Sequence, residues 1–375
     1  MSVPLLDLKA QHATIRDDVV AAMMRIVDAQ TFILGDAVSA LETEVAALSH
    51  TKHAIGCANG TDAILLAMRA LDIGRGDEVI TSPFTFFATA GTIHNVGATP
   101  VFVDIEPRTF NILPEAVAAA RTSKSKAVIP VDLFGQMAAI ENVALAVPGL
   151  PIIEDAAQSI GARRSIDGEW RMAGEIPTIA TFSFFPSKNL GGYGDGGMIV
   201  TQDAQIAERL KRLRVHGGAK QYYHDEVGYN SRLDALQAAI LSAKLPHLAA
   251  WSAKRRANAA WYDSALADLV ESGAIITPYV SPESESIFNQ YTLRIAAGRR
   301  DALQAFLKDK GIGSSIYYPL PLHLQPCFAY LGYTNGQCPE SERAAKEVLS
   351  IPIFPELTQA QLDEVVAAIN AFYTR

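Results

Sequence analysis

The sequence predicts an α/β protein: a large unit with a mainly parallel sheet between helices, then a smaller C-terminal α/β unit. Three observations carry that reading. Short apolar runs alternate with helical periodicity from His53 to Glu154, the pattern of a parallel sheet covered on both faces. The chain has 375 residues, 49% of them hydrophobic, ample for a large core and a site between domains. After Asp155 the alternation fades into a glycine-rich segment followed by helices.

Residues 15–27 and 38–48 carry apolar side chains three and four apart, the helical period, with Gly35-Asp36 between them as turn and N-cap. Residues 53–57 read as the first strand, followed by Gly60-Thr61-Asp62 and an apolar helix through Leu71. Strands at 78–81 and 100–103 precede helices at 87–96 and 114–120, the latter with Pro114 in its first turn. A strand at 127–131, a helix at 138–147 and a strand at 151–154 complete the alternation. Residues 179–185 and 197–201 then form a hairpin-like pair around the glycines. Helices follow at 204–213 and 233–259, the second broken at Pro246. A boundary near Leu248 separates residues 1–248 from 249–375, where 292–296 and 314–318 are the expected strands.

The formal net charge is −8 and no long basic run occurs, which argues against a nucleic-acid partner. No apolar stretch reaches the length of a membrane span. The opening MSVPLLDLKA is interrupted by Asp7 and Lys9, unlike a signal peptide. Cys57, Cys327 and Cys338 are too few and too scattered for a disulfide framework or a zinc site. His50 and His53 lack a carboxylate companion, so no metal is expected. These points place the protein in a reducing cytoplasm.

Chemistry concentrates at four places. Lys188 stands between an aromatic strand, Phe182-Ser-Phe-Phe, and a run of glycines from Gly191 to Gly197. Apolar surroundings favour the neutral amine, the form that attacks an aldehyde. Ser183 offers a hydroxyl for a phosphate. A surface lysine beside a flexible loop is the plain alternative, and the glycines lack the context of a dinucleotide fold or P-loop. Asp155 ends an apolar strand at the edge where ligands of parallel sheets bind; it suits the carboxylate that a pyridoxal ring nitrogen needs, or else an N-cap. Gln158 follows one helical turn later. Gly60-Thr61 opens a helix whose free N–H groups could bind an anion, or simply a capped helix. Phe86 opens another helix and could stack on a planar ring, or pack in the core.

These residues resemble the DegT/DnrJ/EryC1/StrS aminotransferases nearly end to end. The matching blocks are PLLDLKAQ at Pro4, ILG at Ile33, CANGTDAI at Cys57, GDEVITSPFTFFATA at Gly76 and GATPVFVDIEP at Gly97. EDAAQSIGA at Glu154, FSFFPSKNLGGYGDGG at Phe182, GYNSRLDALQAAIL at Gly228 and YYPLPLHLQP at Tyr317 complete the set. The resemblance implies the fold type I of pyridoxal 5′-phosphate enzymes, with a seven-stranded sheet in the large domain. It implies that Lys188 carries the cofactor as a Schiff base and shuttles the proton. Asp155 would face the ring nitrogen, Gln158 the ring edge and Phe86 the ring face, while Gly60, Thr61 and Ser183 would hold the phosphate. Asn230 would reach the phosphate of the neighbouring subunit, making a homodimer with shared sites.

The implied reaction moves an amino group from L-glutamate, through the pyridoxamine 5′-phosphate form, to a nucleotide-linked keto-sugar, releasing 2-oxoglutarate. The pattern around Lys188 is similar to enzymes that aminate C3 of UDP- or dTDP-linked 3-keto sugars, 3-keto uronic acids included. Arg232, Tyr193, Tyr317, Tyr318 and His323 are the expected sugar contacts. Arg232 could equally form a structural ion pair, and the tyrosines could be packing. Tyr317 departs from the pattern, which commonly has histidine there. The alternatives are a C4 keto-sugar or keto-cyclitol aminotransferase and, from another class, a cofactor-binding regulator without turnover. A dehydrogenase lacks its glycine fingerprint here.

Overall fold

The computed structural model describes residues 3–220, 222–296 and 298–374. The first apolar stripe folds as α1 (Leu8–Ala29), capped by Asp7, whose carboxylate accepts from the N–H groups of Lys9 and Ala10. Helix α2 (Asp36–Leu48) begins after Gly35, whose positive φ turns the chain. The alternation then runs β1 (His53–Cys57), α3 (Gly60–Ala70), β2 (Glu78–Thr81), α4 (Phe87–Asn95), β3 (Thr99–Phe102), α5 (Pro114–Ala120), β4 (Ser125–Ile129), α6 (Ile140–Ala146) and β5 (Ile153–Asp155). A hairpin absent from the sequence reading comes next, β6 (Arg163–Ile166) and β7 (Glu169–Met172). Its signal was Asp167-Gly168, both at positive φ, as a two-residue hairpin turn requires.

Strands β8 (Ile179–Ser183) and β9 (Gly197–Thr201) bracket the glycine-rich loop, and helices α7 (Ala204–Leu213), α8 (Ala235–Lys244) and α9 (Leu248–Ala265) follow. Pro246 sits in the single turn of tighter helix that separates α8 from α9. The remainder is α10 (Ala267–Glu271), β10 (Ile275–Ile276), β11 (Ser284–Glu285), β12 (Tyr291–Ile295), α11 (Arg300–Asp309), α12 (Pro339–Glu347), β13 (Val348–Ile351) and α13 (Gln359–Tyr373). Among the described residues no helix is long and apolar enough to cross a membrane.

The large sheet has the order β1-β9-β8-β5-β4-β2-β3: two ladders, β1-β9-β8-β5 and β3-β2-β4, joined by parallel bridges Val128–Ile152 and Val131–Asp155. Only β9 runs against its neighbours. The C-terminal ends of β1, β8, β5, β4 and β2 therefore share one edge. Alternate side chains serve opposite faces. Ile55, Ile179 and Ile199 pack under α3, α4 and α7, whereas Ala54, Ala180, Phe182, Met198 and Val200 pack against α2 and α8. This is the seven-stranded, helix-covered architecture that the resemblance implies.

In the C-terminal part, β10, β12 and β13 form an antiparallel sheet. It packs with Ala259 and Tyr262 of α9, Leu303 of α11 and Val365 of α13. The strand expected at 314–318 is not one: Ser315 makes a single bridge to Ser350, and β13 takes the place in the ladder. Pro319 and Pro321 cannot donate to a ladder, and the chain bends away. The expected division at Leu248 is also not clean. Val3 belongs to the C-terminal core. Trp251 packs against Ile15 and Val19 of α1, and β11 pairs with β6.

Strand β1 forms one edge of the large sheet, and its outward groups are covered. Gly56 N–H donates to Glu42 Oε1 at 2.8 Å, and Arg214 Nη1 donates both to that oxygen and to Gly56 O. Both side chains are largely buried. Replacing Arg214 by methionine should strand the Glu42 charge and destabilise the protein by about 3–5 kcal/mol, read as a lowered urea midpoint. The double variant with Glu42→Gln should recover part of that loss.

Candidate active site

Asp155 is the last residue of β5 and is 4% exposed. Its Oδ2 accepts from Thr89 Oγ1 at 2.8 Å, and its Oδ1 from Ala157 N–H at 3.3 Å. Thr89 comes from the first turn of α4, after Phe86 caps that helix. Burial pushes the Asp155 carboxyl upward, and these donors together with the Lys188 charge pull it back. Among the described residues no cation hydrogen-bonds to it. A buried anion supported only by neutral donors is ready for a cationic partner.

Lys188 follows β8 in a turn closed by its N–H on Phe185 O at 2.8 Å. The residue as a whole is half-buried, but its amine is enclosed by protein. Desolvation lowers its pKa to about 8, against the opposing pull of Asp155. A sizeable neutral fraction thus exists near neutral pH, which makes the amine a nucleophile and a proton acceptor.

Beside it, the turn between β1 and α3 brings a helix N-terminus against the end of β8. Asn59 Oδ1 accepts from Asp62 N–H at 2.8 Å, leaving the N–H groups of Gly60 and Thr61 directed outward. A Cβ on Gly60 would lie 2.7 Å from Ser183 Cβ. A Cβ on Gly197 would lie 2.4 Å from Asn59 O. Both glycines are there because no side chain fits. The outcome is a turn that sets two free backbone donors beside the Ser183 hydroxyl, the donor chemistry that suits an anion such as a phosphate.

Gln158 is held at both ends: Oε1 accepts from Phe134 N–H at 2.7 Å, and Nε2 donates to Tyr318 OH at 3.2 Å. The Tyr318 ring lies 6.3 Å from that of Phe86 and 6.2 Å from that of Phe84. Phe86 itself is 58% exposed, so one face is free to cover a flat ligand. One edge of the sheet thus gathers a buried anion (Asp155), a desolvated amine (Lys188), free N–H groups at a helix N-terminus, and an aromatic face (Phe86). These residues fit pyridoxal 5′-phosphate.

The remaining expected residues are scattered. Tyr193 is exposed, with its hydroxyl 2.5 Å from His12 Nδ1, in a cleft that Lys244 and Pro186 also line. Tyr317 borders a cavity of about 100 Å³ with Ser187, Arg255 and Asn289. Arg232 lines a broad cleft of about 710 Å³ with His216, Lys220 and His224. Asn230 is exposed, while next to it Ser231 Oγ accepts from Ala58 N–H at 3.3 Å, just before the Gly60-Thr61 turn. His323 departs from expectation. It is 1% exposed, lies 3.1 Å from Glu342 Oε1, and is walled in by Phe102 and Tyr333. Its ring therefore faces no open site.

Sequence reasoning missed Thr89, three residues after Phe86 on one helix face. It also missed the clamp on the glycine loop. Gln237 Oε1 accepts from Tyr193 N–H at 2.8 Å, and buried Lys244 donates to Gly191 O at 2.5 Å. The signal was Gln237 and Lys244, seven apart and so on one face of a largely apolar helix.

Comparison with known proteins agrees with this geometry. The DegT/DnrJ/EryC1/StrS aminotransferase family matches residues 13–370. The chain is 53% identical over 375 residues to a Geobacillus stearothermophilus protein named "Pleiotropic regulatory protein", covering 100% of this chain and 99% of that one. It is 46% identical over 371 residues to a UDP-N-acetyl-3-dehydro-alpha-D-glucosamine 3-aminotransferase of Acidithiobacillus ferrooxidans, covering 98% and 97%. Among solved structures it resembles DesV of S. venezuelae in complex with ketimine intermediate, with a TM-score of 0.95 and 40% identity over 100% of this chain and 99% of that chain. With the whole chain matched in sequence and fold, this protein belongs to the DegT/DnrJ/EryC1/StrS aminotransferase family.

Proposed function

We propose that the protein binds pyridoxal 5′-phosphate on Lys188 and moves an amino group from L-glutamate to C3 of a nucleotide-linked keto-sugar, UDP- or dTDP-linked. The observation that carries this reading is the buried Asp155 carboxylate, with no cation hydrogen-bonded to it among the described residues, beside the desolvated Lys188 amine. The likeness to the UDP-sugar 3-aminotransferase supports the substrate class.

When bound, the cofactor supplies an electron sink that stabilises negative charge at the donor Cα. Asp155 keeps the ring nitrogen protonated, because a buried carboxylate gains most by facing a cation. Gly60, Thr61 and Ser183 hold the phosphate end, and Phe86 covers the ring face. With the cofactor bound, Lys188 Nζ would take and hold the proton from the donor Cα in the first half-reaction and return a proton to the acceptor carbon in the second, acting as base and then acid. Gln158 is fixed at the ring edge by Phe134 and Tyr318. Asn230 and Arg232 serve the site of a second copy, Asn230 at the phosphate and Arg232 at the sugar. Asn230 is exposed, Arg232 lines the open cleft, and Tyr222 and Val227 beside them are 85% and 83% exposed, which supports this.

A second reading, a cofactor-binding regulator without turnover, is favoured by the name of the Geobacillus relative. Glutamate alone separates the two. The yellow holoenzyme should bleach to its pyridoxamine form with one 2-oxoglutarate released per site, and an unchanged spectrum would favour the regulator. Offering UDP- and dTDP-linked 3-keto and 4-keto sugars then tests the acceptor. Amination of none of them, despite the glutamate half-reaction, would refute the sugar assignment.

Lys188→Ala should lose at least about 10³-fold in turnover while retaining cofactor noncovalently, since both bond formation and proton transfer depend on that amine. Capture of the cofactor by the apoprotein should accelerate as pH rises through about 8 and then level off, following the neutral amine. Gly60→Ala should weaken cofactor binding by about tenfold or more, because the new Cβ collides with Ser183; fluorescence titration of the apoprotein checks it.

A further inference from the structure

Neighbouring side chains of β5 point to opposite faces, so Glu154 lies behind Asp155, turned away from Lys188. Glu154 is fully buried, and so is Asp132, in the turn after β4. Every oxygen of this pair except one has a donor. Glu154 Oε2 accepts from Gly174 N–H at 2.7 Å. Asp132 Oδ1 accepts from Ala138 N–H at 2.7 Å, and its Oδ2 from Ser159 Oγ at 2.6 Å. Glu154 Oε1 is buried with no donor from any described residue, and the parallel Val131–Asp155 bridge sets Asp132 and Glu154 as neighbours on one face of the sheet, where their charges act on each other. Two ionised carboxylates could not satisfy that oxygen. They would also place like charges in contact away from water, the situation in which carboxylate dyads retain one proton.

We propose that Glu154 and Asp132 share one proton, donated from Glu154 Oε1 to Asp132, and that this bond makes them a positioning pair for Asp155 and Gln158. Burial pushes both carboxyls upward, and the charge of Asp132 pushes Glu154 further. The rest follows from connectivity. Asp132 N–H donates to Asp155 O at 3.0 Å, and Asp155 N–H donates to Pro130 O at 2.9 Å. The Asp132 side chain holds Ser159, next to Gln158. Two residues beyond Asp132, the N–H of Phe134 holds Gln158 Oε1 itself. Without the shared proton, Asp132 and Glu154 push apart, and the turns bearing both ring-facing groups lose their common anchor. One negative charge also remains on the pair, behind Asp155, where it adds to the field that favours a protonated ring nitrogen.

The proton stands on the geometry of this chain; its consequence for Asp155 rests on the function proposed above. Two variants of the holoenzyme test it. Glu154→Gln retains an N–H donor toward Asp132 and an acceptor for Gly174. Glu154→Met has neither. At neutral pH the wild type should show the infrared carbonyl stretch of a buried protonated carboxylic acid, and Glu154→Gln should lack it. Glu154→Gln should bind pyridoxal 5′-phosphate within about threefold of wild type, and Glu154→Met about tenfold or more weakly, as losing a buried hydrogen bond implies. A wild type without that infrared band, or a Glu154→Gln protein that retains it, overturns the shared proton. A Glu154→Gln protein as weak as Glu154→Met overturns the positioning role. If Glu154→Met does not fold, a large loss of affinity in Glu154→Gln still overturns it. Failure of the wild type to bind the cofactor would refute the proposed function instead, leaving the infrared result to decide the proton on its own.

Discussion

The carboxylate of Asp155 is held out of water with a threonine hydroxyl and one backbone N–H as donors. That arrangement is unfavourable unless something cationic comes to meet it. Much of the structure around it keeps the group desolvated and without a hydrogen-bonded cation among the described residues. The parallel strand places it at the sheet edge, and the first turn of α4 supplies Thr89. Lys188 is near enough to feel its charge but is itself desolvated, so it neutralises Asp155 poorly. A lysine with its full charge would occupy the role intended for the ring nitrogen. A carboxylate open to solvent would exert too weak a field to keep that nitrogen protonated.

The other parts of the site come from the same edge because the strands are parallel. Ends of β1, β8, β5 and β2 each lead into a turn, and each turn carries one component. Close approach of β8 and α3 demands glycine at 60, and close approach of β9 to the Asn59 turn demands glycine at 197. The loop holding Lys188 is then fixed from below by α8, through Gln237 and Lys244. Buried lysines are costly, and Lys244 is stabilised by its bond to Gly191 O and by the faces of Tyr193 and Trp251. The glycines therefore give room for the ligand without leaving the loop slack.

Much of this half was legible in the sequence. Strand ends, turn glycines and the aspartate after an apolar run all depend on local backbone geometry, which residue type reveals. Side chains that act through tertiary contact were not legible. The role of Thr89 shows only through its contact with Asp155, and that of Glu154 only through its burial and its unpaired oxygen. The strand expected at 314–318 failed for a related reason. Its alternation was acceptable, but Pro319 and Pro321 turn the segment out of the ladder and toward Gln158. The Asp167-Gly168 hairpin was readable and was overlooked, whereas the burial of His323 depends on Phe102, more than two hundred residues away in the chain, and on Tyr333.

The two sides of the site are built on different physics. The cofactor side consists of buried groups fixed by hydrogen bonds and by glycine contacts too tight for a side chain. Arg232 and Tyr193, proposed for the sugar, and Asn230, proposed to reach a second copy's phosphate, instead sit on exposed or open surface. A rigid cofactor seat needs desolvation, because pKa control depends on it. A sugar subsite has to admit a large polar ligand, so its groups remain in water until ligand or second subunit covers them. The Asp132–Glu154 pair belongs wholly to the first kind. It lies on the face of β5 that no ligand reaches, and it can hold a proton there because nothing exchanges with solvent. That explains why a second and third carboxyl are tolerated so close to Asp155: only one of the two need carry charge, and in the proposed function that charge adds to the field of Asp155.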